Sequence, residues 1–268
     1  MEEAIESPKE PRSLASLVAD SFESFIGTLP VSVPIWALAL APSFFAMLIV
    51  PGMVGGPPDK EHLRAALAAG QYAPFAVLIG AAVVQGALNM LALGAVVLAI
   101  DGFHRRQPLG LADALSASSG IWVMLVLTQL LAGFWVILGF LCLIVPGVIL
   151  ALRYALVHVA VILEGRSGKA ALARSKEIML SHMGKVVGNL LVVAVIAIVL
   201  TGVAYVAVRL ATSFLPPGAA SDAARQYLMN LPGKIIGTWP LAATVLLFRD
   251  LAALHPAAEA AAAPEAVS

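Results

Sequence analysis

The sequence predicts an all-α protein: a polytopic membrane helix bundle with about six transmembrane helices and short interfacial amphipathic helices between them. Three observations lead there. Apolar residues make up 60% of the 268 and charged residues 12%, with a mean hydropathy of +0.95. A soluble domain averages roughly 45–50% apolar and about 25% charged, so this chain has too little charge to coat a water-facing surface. Its apolar residues gather into runs of about 20 or more, the length a helix needs to cross the hydrocarbon. Proline, glycine and charge clusters punctuate those runs.

Taken in order, 13–25 places Leu14, Leu17, Val18, Ser21, Phe22 and Phe25 on one helical stripe, with Asp20 and Glu23 off it. That pattern predicts an interfacial helix inside an N-terminal segment, 1–28. A first span follows at 29–50, where Pro30, Pro34 and Pro42 predict a kink. A Gly/Pro loop and a short surface helix lead to a second span at 74–100. There Gln85 and Asn89, four residues apart, share one face. Gly80, Ala81, Gly86, Ala87 and Gly94 suit close helix packing. Another short surface helix is expected at 109–118. The stretch 120–163 is long enough for two spans and holds Arg153 as its single charge. Pro146-Gly147 is its strongest breaker, which predicts a tight turn between spans at 120–145 and 146–164. A basic segment at 166–185, a fifth span at 186–210, a short helix at 221–229 and a sixth span at 235–254 complete a membrane domain over 29–254. The Ala-, Pro- and Glu-rich tail, 255–268, is expected to be disordered. An alanine-rich amphipathic helix followed by glycine and a span recurs at 64–70, 112–120 and 170–184. Internal repetition and convergence in an alanine-rich chain both account for it.

An even number of spans puts both termini on one side. With the termini inside, Lys9, Arg12, Arg105, Arg106, Arg166, Lys169, Arg174, Lys176, Lys185 and Arg249 lie within, and Lys60, Arg64, Arg209, Arg225 and Lys234 outside. The positive-inside rule therefore predicts cytoplasmic termini. The acidic start, with Glu2, Glu3, Glu6 and Glu10, is unlike a secretory signal. A formal net charge of zero argues against a nucleic-acid partner. The single cysteine, Cys142, admits neither an internal disulfide nor a cysteine-based metal site.

Arg153 is the sharpest candidate residue, because an arginine well inside a span costs about 2.5–3.5 kcal/mol on insertion scales. No carboxylate is expected at its depth. Glu164 shares its helix face but lies roughly 16 Å along the axis. Candidate partners are Gln85, Asn89, Gln129, carbonyls near Pro146 or a lipid phosphate. Two readings stand: a structural arginine that bonds neighbouring spans or snorkels, and a contact for lipid or substrate. In 166–185, five basic residues face one acid, Glu177. Leu172, Ser175, Met179 and Met183 fall on one stripe, with Arg174, Glu177 and Ser181 opposite. The segment reads as a positive-inside loop helix or as a headgroup contact, with Glu164 a candidate partner for Arg174. His158 fits an interhelical hydrogen bond. No histidine pair has metal-ligand spacing, and no nucleotide-binding or hydrolase motif occurs. The expectation is no cofactor, no metal and no enzymatic activity.

A block of residues adds a resemblance. An amphipathic helix at 111–118 precedes the apolar run 121–143. Val145-Pro146-Gly147, Arg153-Tyr154, Glu164-Gly165 and Ala171-Leu172-Ala173-Arg174-Ser175 follow in turn. This block, about 101–199, resembles the membrane domain found in some bacterial glycerophosphodiester phosphodiesterases and in free-standing bacterial membrane proteins. Lys176 stands where that pattern often has tryptophan, and Gly184 fits its later glycine. The resemblance implies a multi-pass protein of the bacterial inner membrane. It brings no diesterase activity, since the catalytic barrel takes about 250 residues and no such stretch exists here. The expected function is a non-enzymatic integral membrane protein with a lipid-interacting or envelope-support role. Its partners would be membrane lipids, with a protein partner or a second copy as a further contact. The alternative is a small transporter or permease-like protein for an anionic or amphiphilic solute, with Arg153, Gln85 and Asn89 lining its path.

Overall fold

The computed structural model describes residues 12–255. The N-terminal residues up to 11, Lys9 among them, and the tail from 256 lie outside the described residues. Nine α-helices and no strand occur among the described residues: α1 Leu14–Val54, α2 Lys60–Ala68, α3 Ala73–His104, α4 Leu111–Cys142, α5 Ile144–Arg153, α6 Val157–Glu164, α7 Gly168–Ser181, α8 Met183–Thr212 and α9 Ala219–Leu254. Six stretches are long and apolar enough to cross a membrane: α1, α3, α4, α5 with α6, α8 and α9. Large side chains such as Phe45, Ile79, Leu130 and Ile198 stand exposed along them, which in hydrocarbon is the solvated state. The chain is an all-α, multi-pass membrane protein.

Helix ends differ from the sequence expectation in an instructive way. The stretches expected as separate helices at 13–25, 109–118 and 221–229 are the ends of α1, α4 and α9. Polarity decides which solvent a helix meets, not where it stops, and α9 runs on even through Pro232-Gly233. α1 stays helical through Pro30, Pro34, Pro42 and Pro51. The surface helix α2 does have a cap. The Asp59 carboxylate accepts from the main-chain N–H of His62 at 2.9 Å and of Glu61 at 3.0 Å. The His62 bond is the main reason that this carboxyl titrates below its ordinary range.

The turn expected at Pro146-Gly147 lies three residues earlier. Leu143 alone is extended, at φ −164° and ψ 155°, and α5 starts at Ile144. Proline is tolerated in a first helical turn because its missing N–H would have no partner there. Pro146 therefore sits inside α5. Gly147 serves close approach instead: a Cβ on it would fall 2.5 Å from the Phe140 ring and 2.8 Å from the Phe140 nitrogen. A Cβ on Gly139 would fall 3.0 Å from the Gly147 Cα. The two glycines let α4 and α5 pack backbone to backbone.

Two compact units form. The first holds, among described residues, 12–26, 123–194 and 239–255; the second holds 27–122 and 195–238. In the first unit Leu17, Leu156, Ile178, Met179, Leu246, Leu247, Phe248 and Leu251 are fully buried. Trp239 Nε1 donates to Ser21 Oγ at 2.9 Å, and Arg12 Nε bonds the buried Asp250 carboxylate at 3.0 Å while its Nη1 pairs with Asp20. In the second unit Gly27 gives room to the Phe103 ring. Trp122 Nε1 donates to the Ala87 carbonyl, Ser118 Oγ to the Leu91 carbonyl and Trp36 Nε1 to Thr238 Oγ1. Such bonds contribute roughly 0.6 kcal/mol each between membrane helices. An open cleft of about 540 Å³ is lined by Pro57, Asp59, Asp222 and Gln226, and an apolar groove of about 410 Å³ by Leu38, Phe45, Val77 and Leu88.

Gly147→Ala should destabilise the protein by about 1–3 kcal/mol through overpacking, read as a lowered midpoint in thermal unfolding in detergent. Gly188→Ala, where nothing lies within 4 Å of the new methyl, should cause no such loss.

Candidate functional site at the α5–α6 break

The sequence expected one continuous helix at 146–164. Instead the chain leaves the helix at Tyr154–Leu156 and resumes it at Val157. The hydrogen bonds tighten across the break. Ala155 N–H reaches back to the Leu152 carbonyl at 3.2 Å and Val157 N–H to the Tyr154 carbonyl at 3.1 Å. Each spans three residues instead of four, as in a 3₁₀ turn. That shift takes the helical partner from the Ala151 carbonyl, the Arg153 carbonyl and the Leu156 N–H. One side chain takes the last two. The Ser175 hydroxyl, from α7, donates to the Arg153 carbonyl at 2.8 Å and accepts from Leu156 N–H at 3.2 Å. Ser175 is fully buried.

Arg174, beside it, is also buried, at 3% exposure. This corrects the helical-wheel reading, which put Arg174 on the face opposite Ser175. The buried face of α7 is Ala171, Leu172, Arg174, Ser175, Ile178 and Met179. Burial of a guanidinium is tolerated here because it is paired. Arg174 Nε donates to both oxygens of Glu164 at 3.1 Å, and its Nη1 to Glu177 at 3.3 Å. Arg174 and Glu164 thus meet, as considered from the sequence. Glu164 also pairs with Arg166 Nε at 3.0 Å. It is the last residue of α6, where the helix dipole disfavours a carboxylate, and two arginines offset that. Gly165 takes the left-handed conformation just past the helix, φ 65°, where glycine carries no Cβ penalty. Lys169 and Lys176 remain exposed on the outer face.

Two residues that sequence reasoning missed complete the site. Thr128 Oγ1, in α4, accepts from the Gly168 N–H at 2.9 Å and fixes the start of α7. Arg166 completes the Glu164 pair. A threonine beside Gln129 inside an apolar run was the available signal for the first.

Arg153 ends α5 half-buried, and its Nε is buried without a hydrogen-bond partner. Neither Gln129 nor a carbonyl near Pro146 supplies one among the described residues. Tyr154 lies in the break itself. Gln129 is half-buried, and His158 in α6 keeps a buried Nε2 without a partner. Gln85 and Asn89 belong to the second unit. Both are half-buried, the Asn89 Oδ1 is unpartnered, and neither lines the two cavities described above. No family model, curated protein or solved structure matches this chain.

Ser175→Ala should cost about 1–3 kcal/mol, since it leaves a buried donor and acceptor unpaired, and should raise the exchange rate of the Leu156 amide. A double-mutant cycle on Glu164→Gln and Arg174→Gln should return a coupling on the order of 1–3 kcal/mol.

Proposed function

We propose that this protein is a non-enzymatic integral membrane protein that binds anionic lipid headgroups through Arg153 and the basic outer face of α7, in a lipid-interacting or envelope-support role. One observation carries the reading: the Arg153 Nε is buried and unpartnered beside a helix break whose Arg153 carbonyl and Leu156 N–H are both bonded by Ser175. The guanidinium is a planar fork of donors, and phosphate fits its geometry. The exposed Lys169 and Lys176 flank the same segment, and each basic residue near an anionic surface adds about 1 kcal/mol of attraction. In this reading the chain is a free-standing form of the membrane domain that the 101–199 block resembles, placed in a bacterial inner membrane with both termini cytoplasmic.

Native mass spectrometry of the detergent-purified protein tests the proposal. Wild type should retain an anionic phospholipid, Arg153→Leu should lose most of it, and Arg153→Lys should keep an intermediate share. Equal retention in Arg153→Leu would remove the reading. Arg153-dependent flux of an anionic solute into protein-containing vesicles, with no lipid retained, would favour the permease alternative.

A further inference from the structure

We propose that one exposed face of α9, in the second unit, is a water-filled, anion-selective track that ends at Lys234. Lys234 lies inside the span, not ahead of it as the apolar run 235–254 predicts. Its ammonium stands over the Trp36 ring, 5.1 Å from the centroid. Trp36 follows Gly27 by nine residues, about 14 Å along α1. Gly27 packs against Phe103, next to the exposed Arg105 and Arg106. Those arginines cannot lie in hydrocarbon, so they mark its near edge. In the other direction the exposed Phe45 and Ile49 continue the lipid-facing surface of α1 well past Trp36. With hydrocarbon about 30 Å thick, the ammonium is close to mid-depth. An ionisable group there is expensive unless it is paired or wet. Among the described residues Lys234 meets no carboxylate, and the Trp36 ring is the partner its ammonium has.

Water reaches that depth along α9. Asp222, Gln226, Asn230, Gly233 and Gly237 recur at steps of three and four and form one exposed helical face. Acyl chains cannot hydrogen-bond the carboxylate and amides of such a face. The glycines leave it open: a Cβ on Gly237 would meet nothing within 4 Å, and one on Gly233 would meet the Thr201 methyl at 3.7 Å. At the end away from Lys234 the face joins the cleft of about 540 Å³, which Asp222 and Gln226 line. Its flank is fixed against α1, where Tyr227 OH donates to the Ala37 carbonyl at 2.8 Å and Trp36 Nε1 to Thr238 Oγ1 at 3.0 Å. Lys234 stands on that flank. Charge then selects the ligand. Asp222 pairs with Arg225 at 3.0 Å and Asp59 with His62 at 2.9 Å, which leaves Lys234 as the charge without an ionic partner along the track. Lipid phosphates stay at the membrane surface, so the anion at mid-depth comes from water, as a small carboxylate, sulfonate or phosphate. The proposal is independent of what Arg153 binds.

Single cysteines placed in a Cys142→Ser background, which has no other thiol, test the track. Sealed vesicles of each orientation are treated with two membrane-impermeant methanethiosulfonates, one bearing a sulfonate and one a trimethylammonium group. Asn230→Cys and Gly237→Cys should each be labelled from one face. Ile198→Cys, at a position 69% exposed on α8, should be labelled from neither. At both track positions the sulfonate should react faster than the cation by about tenfold, relative to their rates with a free thiol, because a low-dielectric cleft focuses the field of its charge. Lys234→Gln should abolish that preference, and Lys234→Arg should keep it. Track cysteines unlabelled from both faces, labelling of all three positions alike, or an anion preference that is absent or survives Lys234→Gln would overturn the proposal.

Discussion

Where α5 gives way to α6 the helix strands a carbonyl and an amide, and the Ser175 hydroxyl takes both. Inside a low-dielectric layer each unsatisfied group would cost several kcal/mol, so the break exists only because α7 is docked on it. The dependence runs in both directions. α7 is a helix of 14 residues with a polar outer face, and it stays in place through Ser175, the Arg174–Glu164 pair and the Thr128 contact at its start. Glycine at 165 and 168, both with positive φ, lets the chain turn back sharply enough to make those contacts.

Charge is sorted along the same segment. Arg174 and Arg166 are used against Glu164, and Arg174 also meets Glu177. These pairs neutralise the buried side, while Lys169 and Lys176 are left on the outside. Arg153 is the exception, with a buried donor and no acceptor among the described residues. A buried polar atom of that kind calls for a physical partner, and its place at the junction of a charged helix and an apolar hairpin favours an anionic group from the lipid.

Much of the fold is legible in the sequence, because long apolar runs leave a helix few alternatives in a bilayer. What was not legible depends on contacts distant in the chain. Tyr154, Ala155 and Leu156 contain no proline or glycine, so nothing local marks the break; its cause is a serine 19 residues further on. The burial of Arg174 cannot be read from a helical wheel, on which an arginine in a polar helix looks exposed. Only its pairing with Glu164 turns it inward. Pro146-Gly147 misled for the opposite reason. A strong local breaker was present, but proline fits a first helical turn, and the glycine answers to Phe140 across the hairpin. Along the site, the Arg153-Tyr154 and Arg174-Ser175 pairs were visible as motifs, whereas their meeting through one hydroxyl was not.

The most direct measurement is an electron cryo-microscopy map of the protein in nanodiscs containing anionic phospholipid. The expected map shows a lipid phosphate within hydrogen-bond reach of the Arg153 guanidinium and α7 docked on the α5–α6 break in the headgroup layer. A continuous helix from Ile144 to Glu164 with α7 undocked, or Arg153 closed off by a side chain of its own protein, would contradict it.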